Sequence, residues 1–169
     1  MDDHERTAGM TTISHPSAEF PARPSVSLEA PEGWGPLLLP EALVAVAADA
    51  PTAGYRPNVC VTVTRVAGEV SLEEAAAATA ARLEAAPEYE ELGRERTTTF
   101  GLDAFRVEAG FATDYAGTLF QAAHVAVLPR GAFTDVLEIA GTCNSAQALD
   151  LVPVLRQVIG SAALQHELL

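Results

Sequence analysis

Between residues 95 and 142 the chain carries four β-type segments, 95–100, 103–111, 118–128 and 133–142, joined by connections of only a few residues. A parallel pair needs a crossover of about a dozen residues or more, so segments joined this tightly pair antiparallel, as a meander. In the second segment Phe105, Val107, Ala109 and Phe111 share a face opposite Arg106 and Glu108. In the fourth, Phe133, Leu137 and Ile139 face one way, and Val136, Glu138 and Ala140 the other. Asp114-Tyr115-Ala116-Gly117 and Pro129-Arg130-Gly131 supply the turn chemistry between them.

Upstream lies a strand-to-helix unit. After Tyr55-Arg56-Pro57-Asn58, alternation puts Val59, Val61 and Val63 on one face and Cys60, Thr62 and Thr64 on the other. Both faces are weakly polar, which predicts that both are at least partly covered. Ser71-Leu72-Glu73-Glu74 fits a capping box, and Leu72, Ala76, Thr79 and Leu83, joined by Ala75, Ala80 and Ala86, give the helix a face of small side chains. Pro87 stops it, and Glu84, Glu88, Glu90 and Glu91 read as a solvated end. Residues 25–30 alternate as a short strand closed by a Pro31-Glu32-Gly33-Trp34 turn, and residues 37–47 read as one or two strands broken at Pro40. A second helix follows Asn144, carried by Leu151, Val154, Leu155, Val158 and Ile159, with Pro153 in its first turn or kinking it.

The 169 residues suit one domain, placed at 25–161 between a polar, disordered tail over 1–24 and a short tail over 162–169. A net charge of −13 repels phosphate backbones and anionic headgroups, so nucleic acid and membranes are disfavoured and a basic protein or small cation is permitted. The N-terminus shows no basic and apolar leader and no lipobox cysteine, and no apolar run is long enough to span a bilayer. The expectation is a cytoplasmic protein, with Cys60 and Cys143 as small buried hydrophobes.

Few residues point to chemistry. There is no glycine-rich phosphate loop and no CxxC pair, so no cofactor or metal is expected. A hydrolase would require His124 beside Cys143, Cys60 or a serine. Carboxylate pairs can be drawn from Asp103, Glu108, Asp114 and Asp135, but among 23 acids this selects nothing.

In their order, Pro31-Glu32-Gly33-Trp34, Tyr55-Arg56-Pro57-Asn58-Val59, the capped helix at Ser71 and Gly101-Leu102-Asp103-Ala104-Phe105-Arg106-Val107 resemble the Mog1/PsbP-like fold. More narrowly, they are similar to the actinobacterial LpqN-type lipoproteins, over about residues 25–161. The resemblance implies an α/β (α+β) protein, an antiparallel sheet flanked by helices in an α/β/α sandwich. It also implies an accessory or binding role with no shared catalytic site, and the chain departs from those relatives by lacking their leader.

The function expected is therefore a non-enzymatic module that binds another protein, with Trp34, Tyr55, Arg56 and Asn58 as the contact residues, since binding residues concentrate on loops. The structural alternative is that Trp34 plugs one end of the sheet, while Pro57 and Asn58 shape the entry to the strand. A second reading is a carrier for an apolar small molecule, held where the small-residue helix face leaves a cavity. If segment 118–128 formed a sheet edge, its low charge would let it pair with a second copy as a homodimer.

Overall fold

The structure is a computed structural model that describes residues 9–49 and 54–165. The first part of the expected N-terminal tail, with His4, the middle of the 48–54 loop, and the last four residues, with His166, lie outside the described residues. The elements run β1 (Val26–Ser27), β2 (Trp34–Pro36), β3 (Val44–Ala48), β4 (Asn58–Ala67), α1 (Leu72–Glu84), β5 (Glu90–Thr99), β6 (Leu102–Thr113), β7 (Gly117–Arg130), β8 (Phe133–Asn144), α2 (Ala148–Gly160) and β9 (Ala163–Leu164). A single 3-10 turn over Ser145–Gln147 leads into α2.

Strands β2 to β8 form one antiparallel seven-stranded sheet in the order β2-β3-β4-β8-β7-β6-β5. The meander β5-β6-β7-β8 is as the short connections require, and β4 completes it by pairing with β8 along its whole length. β7 is interior, between β6 and β8, so segment 118–128 has no free edge to offer a second copy. The true edges are blunted. β2 has three residues and ends in Pro36, and β5 carries Glu90, Glu91, Arg94, Glu95 and Arg96 with a register shift between Glu91 and Gly93. β5 begins at Glu90, upstream of the residue 95 expected, because pairing to β6 extends through the charged stretch. Within 37–47 only Val44–Ala48 is strand.

The helices take opposite faces. α2 packs on β8, β4 and β7, where Val59, Val61, Leu137, Ile139, Leu155, Val158 and Ile159 form the main core. Gly141 lets it come close, since a Cβ there would meet Ile159 Cδ1 at 3.1 Å and Leu155 Cβ at 3.3 Å. Pro153 sits inside α2, at its sixth residue. On the other face α1 lies over β6 and β7, burying Leu72, Ala75, Thr79, Ala80 and Leu83. Its start is the capping box, with Ser71 Oγ accepting from the Glu74 amide at 3.1 Å and Glu74 Oε2 from the Ser71 amide at 2.8 Å.

Residues assigned from the sequence to the two tails make contacts with the domain. Arg65 forks onto the fully buried Asp135 at 2.7 and 2.8 Å and donates to the carbonyls of Pro21 and Ala22, and Arg130 also donates to Ala22. β9 pairs with β1, closing the lower end of the sheet.

Candidate functional site

The end of the sheet where β4 begins and β8 finishes gathers three of the four residues singled out in the sequence. Arg56 Nε donates to the Ala48 carbonyl at 2.7 Å, tying the start of β4 to the end of β3. Asn58 Nδ2 donates to Tyr55 Oη and to the Arg56 carbonyl, both at 3.1 Å. Gln147 Nε2, from the 3-10 turn, donates to the Tyr55 carbonyl at 3.0 Å. Burial pushes the Tyr55 phenol up, with the Asn58 amide opposing and Tyr115 reinforcing the shift, so the hydroxyl stays protonated. Trp34 stands at the same end but on the other face. A Pro31–Trp34 turn with Gly33 at φ 77° sets it opposite Ala48, and its ring packs against the α2 core.

Register explains what lies beside Tyr55. Asn58 is opposite Thr142, and Thr142 is opposite Gln121, so one polar row crosses β4, β8 and β7. Gln121 Nε2 donates to Thr142 Oγ1 at 3.0 Å. Because α1 is set over β6 and β7, the neighbouring Cys60, Thr62 and Ala140 stay half-buried with no helix above them. The Cys60 thiol is pushed up by burial, then by the carboxylates of Glu138 and Glu41. Glu138 accepts from Thr79 Oγ1 at 3.0 Å and from Arg82, fastening α1 along one side of the open face. At the tip of the β6–β7 turn Tyr115 is 80% exposed. Gln121, Thr142, Tyr115 and Gln147 were not singled out in the sequence. The available signal was a glutamine in a mostly apolar strand whose other interior polar residue is His124.

The nucleophile–base pair of the hydrolase reading is not formed. His124 lies opposite Ile139, four residues along β8 from Cys143, about 13 Å at the strand rise, and Cys60 is on the other face. His124 Nδ1 instead bonds Thr99 Oγ1 at 2.8 Å, and burial, helped by Arg106, pulls its pKa down to about 4. Two of the four carboxylates considered are held by arginines, Asp135 by Arg65 and Glu108 by Arg156 at 2.7 and 3.0 Å. Burial alone would raise the Glu108 pKa, but Arg156 and Arg106 outweigh it and hold the pKa below the usual range. Among the described residues no three His, Cys, Asp or Glu side chains cluster as metal ligands.

Under α1 the void beside Ala76, Ala77, Phe105 and Val107 is about 160 Å³. A larger cavity, about 590 Å³, opens at the lower end between Phe100, Leu102, Leu128 and Leu164, with Arg130 at its wall. No helix among the described residues is long and apolar enough to cross a membrane.

A family profile described as "Probable lipoprotein LpqN" matches residues 7–163. Among solved structures, LpqN from Mycobacterium tuberculosis, involved in cell envelope biogenesis, aligns with a TM-score of 0.74 at 15% identity, covering 92% of this chain and 90% of that one. Cyanobacterial PsbP from Synechocystis aligns at 0.57 and 11% identity, over 92% of this chain and 99% of its own. The Saccharomyces cerevisiae Ran-binding protein Mog1p aligns at 0.51 and 12% identity, over 82% and 89%. At these identities the likeness is one of fold. No curated protein matches the chain.

Proposed function

We propose, on the premise that this chain belongs to the LpqN family of probable lipoproteins, that it is a non-catalytic accessory module that binds another protein. The observation that carries this is the convergence of Tyr55, Arg56 and Asn58 beside a sheet face that α1 leaves open. One structural relative, the yeast protein, is itself a Ran-binding protein. In this reading Tyr55, Arg56 and Asn58 form the contact surface, and Trp34 supports it from the core side. With β7 interior, strand pairing to a second copy is not the mode of association proposed. The test is quantitative affinity capture with the intact chain and with Tyr55→Ala and Arg56→Ala. The reading expects a specific protein to be recovered by the intact chain and lost from both variants while each remains folded by circular dichroism. Unchanged recovery would remove the proposed contact surface.

A second reading, a carrier of an apolar small molecule, is favoured by the lower cavity, whose volume lies in the range of small-molecule sites. The sequence placed such a cavity under α1, where the void is too small for a lipid chain. Native mass spectrometry followed by organic extraction decides it, since a chain that arrives empty and takes up no lipid or isoprenoid is not a carrier. The composition, with arginine as its sole strong base, accords with an actinobacterial source. Fractionation of the native host would settle whether the protein is cytoplasmic or shares the envelope role of the M. tuberculosis relative.

A further inference from the structure

Hydrogen bonding gives the open face beside α1 a definite polarity. Asn58 directs its Nδ2 at Tyr55 and the Arg56 carbonyl, and Gln121 directs its Nε2 at Thr142. Both amides thus turn their donors inward, and neither Asn58 Oδ1 nor Gln121 Oε1 meets a donor among the described residues. The hydroxyl of Thr62, opposite Glu138 in the register, adds a further acceptor, while Glu138 itself is engaged by Thr79 and Arg82. Burial raises the Cys60 thiol most, Glu138 and Glu41 add to it and Arg82 opposes, on a chain whose net charge of −13 favours a cationic partner. Tyr55 and the exposed Tyr115 stand at the same end and offer aromatic faces.

We propose that this face receives arginine side chains from a basic segment of the partner protein. This rests on the binding-module reading and states the partner's chemistry. A guanidinium presents five donors and no acceptor, the complement of a floor whose Asn58 and Gln121 amide oxygens and Thr62 hydroxyl face outward as acceptors. It also stacks on aromatic faces, as a tyrosine pair at one end of the floor permits. Lysine carries the same charge without the planar fork, so arginine is the better fit.

The test is an NMR titration of the full chain with a short peptide alternating glycine and arginine, alongside the same peptide with glutamate in place of arginine. The arginine peptide should move the side-chain amides of Asn58 and Gln121 and the backbone amides of Thr62 and Ala140, and should weaken with added salt. Gln121→Leu and Tyr115→Ala should each weaken it by up to about tenfold, the loss of a hydrogen bond to a charged group or of a cation–π contact, with unchanged melting. Shifts confined to the acidic α1–β5 end, equal binding of the glutamate peptide, or no binding at all would overturn the proposal. The two readings fail separately. A partner captured equally well by the Gln121→Leu, Tyr115→Ala double variant overturns this site and leaves the module a binding protein. A chain that captures no protein removes the module reading, while the peptide titration still judges the site.

Discussion

Replacing Arg65 with Met keeps most of the side-chain volume and removes the fork that holds Asp135. Asp135 is fully buried, and its two oxygens accept from Arg65 at 2.7 and 2.8 Å, while Arg130 approaches no closer than 3.9 Å. The variant therefore strands a carboxylate in the interior, frees the Pro21 carbonyl and leaves the Ala22 carbonyl to Arg130 alone. Removing one partner of a buried pair costs about 3–5 kcal/mol, against roughly 0–1 kcal/mol for an exposed one. With a urea m-value of about 2 kcal/mol/M for a domain of this size, the unfolding midpoint should fall by about 2 M at unchanged m. Arg65→Met combined with Asp135→Asn should recover about half of that, because the stranded charge is gone while the lost hydrogen bonds are not. A midpoint shift below about 0.5 M would mean the pair behaves as a solvent-screened one, and would refute the view that it pins residues 21–22 to the sheet.

Acid stability should report on His124. Its folded pKa of about 4 lies below its ordinary 6.5, so the neutral form is favoured by folding. The unfolded chain takes up the proton first, and stability falls as pH drops from 6.5 to 4 by about 3 kcal/mol at about 1.4 kcal/mol per unit. Chemical denaturation across that window should show a slope that His124→Asn flattens. Gly141→Ala should destabilise by about 1–3 kcal/mol through overpacking of α2 against β8, read as a lower Tm. Ser71→Ala should cost about 1 kcal/mol by removing the capping box of α1, measured by urea unfolding.

The elements that could be read locally were those whose signal is local. The capping box at Ser71 and the alternation of Val59, Val61 and Val63 stand where their residues place them, whereas the turns expected at 114–117 and 129–131 are tighter, at 114–116 and 131–132, because β7 pairing takes in Gly117 at one end and Pro129 and Arg130 at the other. The first half of β5 was invisible because an edge strand bearing charges on both faces has no apolar alternation to detect. β1 and β9 are two residues each and pair across the whole chain, so neither stretch signals the other. Phe100 follows the same rule. It holds φ 59° in a two-residue hairpin turn, where glycine or asparagine is usual, because its ring is buried in the core. Tyr55 and Asn58 could be picked out as loop residues ahead of a strand, but Thr142 and Gln121 join them only through the register of β4, β8 and β7. Where α1 sits sideways on the sheet, and so which part of that face stays open, depends on tertiary packing that no window of sequence contains.

The central claim is that the open face beside Tyr55 is where another protein docks. A photocrosslinking residue placed at Thr62, on that face, and in a second sample at Ala81, on the exposed side of α1, tests it directly in the native host. The account predicts a discrete protein adduct from position 62 that disappears with Tyr55→Ala, and none from position 81. Equal adducts from both positions, or an adduct at 62 that survives Tyr55→Ala, would contradict it.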